Sequence, residues 1–158
     1  MARTAEAARI IGRHVPVVPS VVWRFDEDLI RWAAWLKDSD AEAVAVDLGT
    51  LTAGAAWSWG VRGLARLGEL LAPNVPKLLA NGPSRVDRIK DLIEAWPGQV
   101  VPMSQRPWHL ARHGRALNDD LSDSKDVSLT AAELMRINAD TFERTVRSLI
   151  ANARRMAA

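Results

Sequence analysis

Residues 43–84 read AVAVDLGTLTAGAAWSWGVRGLARLGELLAPNVPKLLANGPS, and this stretch decides the fold. An apolar run, 43–46, ends in Asp47-Leu48-Gly49-Thr50. A helical stretch, 56–71, closes at Pro73. A second apolar run, 77–80, then ends in Asn81-Gly82-Pro83-Ser84. Short continuous apolar runs suit strands buried in a sheet, and a helix between two of them makes a parallel crossover. Gly60, Gly63 and Gly68 each cost the helix about 1 kcal/mol relative to alanine, so the pattern predicts close approach of its backbone to the sheet.

The same rhythm extends both ways. Upstream, 15–23 is an apolar run ending in Arg24-Phe25-Asp26. A helix to about residue 37 follows, with Asp26 as N-cap and Leu29, Trp32, Ala33 and Leu36 at helical spacing. Downstream, Ser84 caps a helix over 85–96, and a fourth run, 100–103, ends in Ser104-Gln105-Arg106-Pro107. Pro107 suits the first turn of a short helix over 108–113. The expected fold is α/β: about four parallel strands alternating with helices, as a half-barrel or small open sheet, plus a long C-terminal helix. Such sheets bind ligands at the strand C-terminal edge, where the four polar ends would meet.

The chain divides into an α/β domain (1–117), an acidic loop (118–127) and a C-terminal amphipathic helix (128–158). Residues 1–13 read as a short helix or frayed arm. Thr130 and Glu133 make a capping box. Met135, Ala139, Phe142, Val146, Leu149, Ala153 and Met156 then alternate spacings of four and three, a heptad seam that packs on its own domain or on a dimer partner.

Composition narrows the chemistry. At 48% apolar and 25% charged over 158 residues, this is ordinary globular material for one domain. The absence of cysteine excludes disulfides, thiolate catalysis and cysteine-ligated zinc. The opening MARTAEAARIIGRH scatters charges where a signal peptide needs an apolar core, and no uncharged stretch reaches the roughly 18 residues of a membrane span. A cytoplasmic protein with no membrane contact is expected. Net charge is +2, so nucleic-acid affinity would need a local patch. Seventeen of 21 basic residues are arginine, which alongside abundant Ala, Gly and Val reads as codon bias before it reads as anion preference.

Several polar residues at the strand ends can carry chemistry. Asp47 can serve as general base, nucleophile or acceptor for a ring N–H; equally, it can close a turn on the Gly49-Thr50 backbone. Asn81 and Ser84 flank a strand-to-helix turn able to hold an anion. Gln105, Arg106, His109, Arg112 and His113 form the densest polar cluster. His109 and His113 have metal-ligand spacing, but no third ligand is evident, so neither metal nor cofactor is expected. Arg106 and Arg112 suit an anion or a partner carboxylate. Trp23, Trp57 and Trp108, mixed with arginines that include Arg24, Arg106 and Arg112, suit stacking on a nucleobase with phosphate contacts; equally, they can be core tryptophans among surface cations.

The segments VVWRFDEDLIRWAAWL (21–36), VAVDLGTLTAG (44–54), PKLLANGPSRVDRIKDLIEAW (76–96) and ARHG (111–114) occur in an order and spacing that resembles the second half of a tRNA-guanine transglycosylase barrel. Gly49, Leu51, Ala111, Arg112 and Gly114 match that pattern. The family's aspartate nucleophile has no counterpart in 99–104, Trp23-Arg24-Phe25 stands in place of Gln-Gly-Gly, and the cysteine-rich zinc site is absent. The resemblance implies nucleobase or nucleotide recognition, with base exchange as its enzymatic version. Asp47 would then be base or nucleophile. Asn81 and Gln105 would read the ring, Arg106 and Arg112 would hold phosphate, and Trp23 or Trp57 would stack. The alternative is a non-catalytic interaction protein on a degenerate barrel-like scaffold, pairing with a second copy or another chain. A third reading, nucleic-acid binding by Arg136, Arg144, Arg147, Arg154 and Arg155, is diluted by Glu133, Asp140 and Glu143.

Overall fold

A computed structural model describes residues 17–39, 41–124 and 128–157. Strands β1 (Ala43–Asp47), β2 (Lys77–Asn81) and β3 (Val100–Met103) form one parallel sheet in the order β1-β2-β3. Ala43 stands opposite Lys77, and Asp47, Asn81 and Met103 line up across the three C-terminal ends. Around the sheet lie α1 (Asp26–Ser39), α2 (Gly54–Leu71), α3 (Val86–Ala95), α4 (Arg106–Arg112) and α5 (Ala131–Ala157).

The fold class is α/β as expected, but among the described residues the sheet has three strands rather than four, and the one not formed is the run 15–23. The run 15–23 meets β1 in a single parallel bridge, Ser20 with Ala45. Its two bonds run from the Ala45 N–H to the Pro19 carbonyl and from the Val21 N–H to the Ala45 carbonyl, each 2.8 Å. The preceding rung would need an N–H from Pro19, which has none. On the other side, the Val22 carbonyl accepts the Trp32 indole N–H and the Asp28 carboxylate takes the N–H groups of Arg24 and Phe25. Residues 15 and 16, and the arm 1–13, lie outside the described residues.

Consecutive parallel strands joined by right-handed crossovers place their helices on one face. Val44, Val46, Leu78, Ala80 and Val100 point into that layer, against Trp32, Leu36, Trp57, Leu64, Leu67, Leu92 and Trp96. The other face carries Ala43, Ala45, Leu79 and Val101, all partly exposed, and Met103, exposed. None of them belongs to a core cluster among the described residues. The α2 glycines admit loop side chains rather than strands: a Cβ at Gly60 would meet Leu51, at Gly63 the Trp23 indole, and at Gly68 Pro97.

Helix ends differ in detail from the sequence expectation. Phe25, not Asp26, precedes α1, and Asp28 reaches back to it. Arg85 caps α3 with no side-chain cap bond, so Ser84 does not cap it. The capping box of α5 is present: the Thr130 N–H donates to Glu133 Oε2 at 2.9 Å, and the Glu133 N–H to Thr130 Oγ1 at 3.3 Å. The Thr130 hydroxyl and N–H hold the Glu133 carboxyl below its ordinary range. A carboxylate stabilised in the folded state contributes above its unfolded pKa, and the contribution is lost as pH falls through its folded value. Thr130→Ala should therefore lower stability at neutral pH and shrink that acid-side loss, as read from urea midpoints between pH 7 and pH 3.

The long helix packs on its own chain, with its buried face displaced from the expected seam. Met135, Ala139 and Met156 are exposed, whereas Leu134, Asn138, Thr141, Thr145 and Val146 are buried. Phe142 and Leu149 pack against the cluster of Ile89, Leu110, Leu117, Leu121 and Val146. Residues 118–124 of the acidic loop fold back rather than standing free, through an antiparallel bridge from Leu117 to Asp123 and a buried Leu121 at φ 60°. Arg136, Arg144 and Arg147 are each paired with a carboxylate. Among the described residues no helix is long and apolar enough to cross a membrane.

Candidate functional site

Parallel register brings the strand ends together. Asp47 and Asn81 stand side by side, and the Asp47 carboxylate accepts through Oδ1 from the Asn81 Nδ2 at 3.0 Å and the Gly49 N–H at 2.9 Å. No described group bonds Oδ2. The Asp47 turn expected from the sequence is therefore present, together with an amide partner from the neighbouring strand.

The backbones after β1 and β2 then close on each other. The Leu48 N–H donates to the Asn81 carbonyl at 2.8 Å, and the Gly82 N–H to the Met103 carbonyl at 2.9 Å. Gly82 has φ 111°, and a Cβ on it would lie 2.4 Å from the Gly49 nitrogen. Glycine is required there by both conformation and space.

Above this floor lies a cleft of about 470 Å³. Of the sequence-derived candidates, Asp47, Gly49, Thr50, Asn81, Ser84, Gln105, Arg106 and His109 line it, with Gly82, Ser104 and Trp108 beside them. Ser104 Oγ accepts the Arg106 N–H at 3.2 Å, fixing the turn into α4. Trp108, 45% exposed, is the aromatic side chain of the cleft. Of the three tryptophans that the sequence offers for stacking, it is the one that lines the cleft.

Arg106 is partly committed. Its guanidinium donates to the Ser84 carbonyl and to Asp123 Oδ1, each at 3.3 Å. Arg115 takes Asp123 Oδ2 at 2.8 Å. The Arg115 hydrogen bond, with backbone bonding and the charge of Arg106, holds the Asp123 carboxyl below the usual range.

Four expected members lie elsewhere. Arg112, six positions after Arg106 and so about a third of a turn round α4, stacks over Trp108 at 4.8 Å and does not line the cleft. Trp23 and Arg24 line a separate hollow between α1 and α2, because the chain leaves β1 after one bridge. Trp57 cannot stack on a ligand. It is 6% exposed, donates its Nε1–H to Asp91 at 2.7 Å, and lies under Arg88 at 4.6 Å. Arg88 also donates to the carbonyls of Leu51 and Thr52, so this group shapes the β1–α2 loop. His109 and His113 stand ring to ring at 4.7 Å. Among the described residues no three metal-ligating side chains gather.

No protein-family model, curated protein or solved structure matches the chain.

Proposed function

We propose that the strand-end cleft binds a nucleobase or nucleotide. The observation that carries this reading is the Asp47–Asn81 pair. With Oδ1 of Asp47 saturated by Gly49 and Asn81, Oδ2 and the Asn81 side-chain oxygen are left as adjacent acceptors. Two acceptors side by side suit the N–H groups along a purine edge. Trp108 offers a ring face, Gln105 a second amide, and Arg106 a cation for phosphate.

Asp47 is the single carboxylate among the cleft's described lining residues. That favours recognition over base exchange, since exchange also needs an acid to protonate the leaving base; His109 is the lining residue that could supply it. Calorimetric titration with guanine, GMP and AMP tests the reading. Asp47→Asn keeps the turn and replaces a charged acceptor, so affinity should fall roughly 10- to 100-fold. Millimolar or absent binding across the panel, or binding indifferent to Asp47→Asn and Asn81→Ala, would sink the reading. Release of free base from a bound nucleoside would convert it to the enzymatic version, and its absence leaves a binding module.

A further inference from the structure

The hollow between α1 and α2 gathers more cationic and aromatic residues than the strand-end cleft. Trp23 and Trp59 stack at 5.6 Å and 29°, with Trp59 39% exposed. Phe25 is 63% exposed beside them. Its N–H and that of Arg24 are tied to Asp28 at 3.1 and 3.0 Å, which fixes the backbone that presents both side chains. Gly63 lets the Trp23 indole lie directly on α2. Around the rings stand Arg24, Arg62 and Arg66, against one lining carboxylate, Asp26. Arg66 pairs with Asp26 and Glu69, whereas among the described residues Arg24 and Arg62 pair with no carboxylate.

We propose that this surface binds single-stranded nucleic acid. Bases would stack on Phe25 and Trp59, and Arg24 and Arg62 would contact successive phosphates. Stacking on exposed aromatic faces flanked by cations recognises such strands without reading sequence. An anionic polymer without rings would use the arginines and leave the aromatics idle. The surface shares no lining residue with the strand-end cleft, so the inference stands apart from the nucleotide reading of that cleft.

The test is fluorescence anisotropy of fluorescein-labelled dT12 and rU12 with the full chain at 50 and 200 mM salt. All substituted side chains are exposed, so the variants should keep the fold, checked by circular dichroism. Phe25→Ala should weaken binding about 10-fold. Arg24→Ala and Arg62→Ala should each weaken it and each flatten the log–log salt slope by about 0.7. GMP titration of the same variants should be unchanged, which separates this surface from the cleft. Absence of binding at 100 μM protein in 50 mM salt would overturn the proposal. So would equal affinity in Phe25→Ala, or displacement by polyglutamate as effective as by unlabelled dT12.

Discussion

Gly82→Ala is expected to cost the fold several kcal/mol, while Gly114→Ala costs only about 1–2 kcal/mol. Both glycines have positive φ, 111° and 66°. At Gly114 a Cβ meets nothing within 4 Å, so alanine adds only the left-handed penalty of about 1–2 kcal/mol. At Gly82 the φ is harder for any L-residue, and the Cβ would sit 2.4 Å from the Gly49 nitrogen and 2.6 Å from its Cα. Backbone cannot swing aside as a side chain does. Strain of about 1–3 kcal/mol and overpacking of similar size sum to roughly 2–6 kcal/mol, a large part of a typical domain's stability. Urea midpoints of the two variants provide the measurement. Equal midpoints would mean that the two loops do not touch.

Asn138→Ala should be comparably severe. Asn138 is fully buried and uses three bonds: it accepts the Leu117 N–H at 2.7 Å and donates to the carbonyls of Pro107 and Arg115 at 3.1 and 3.0 Å. Truncation strands one N–H and weakens the satisfaction of two carbonyls, at about 1–3 kcal/mol for each group left without a partner. A loss of about 3–5 kcal/mol follows, with faster hydrogen exchange at the Leu117 amide. Thr141→Val, next on the same face and joined among the described residues only by a 3.5 Å contact with Arg144, should be mild. If Asn138→Ala proved no worse than Thr141→Val, the polar junction would not be what holds α5 to α4.

How much was legible in the sequence follows from the kind of signal each feature leaves. Strands β1, β2 and β3 were readable because short apolar runs bounded by turn residues have few other uses. Eight candidates converge because consecutive parallel strands bring their ends together whatever the side chains are. The run 15–23 misled because apolar content does not report a missing N–H, and one proline ended the ladder. The buried face of α5 was misplaced by about one position, since Asn138, Thr141 and Thr145 look like surface residues until their partners are known. Trp57 resembled a strand-end ring, and only the partner Asp91, 34 residues away in sequence, makes it structural.

The contact between Gly49 and Gly82 also limits how this molecule can change. At Gly82 the cleft's floor is main chain against main chain, so substitutions there cannot adjust its depth without a large loss of stability. Retuning for a different guest must come from the walls, at Thr50, Gln105 and His109 on separate segments. Libraries confined to those three positions should alter selectivity while leaving the scaffold's melting behaviour nearly constant.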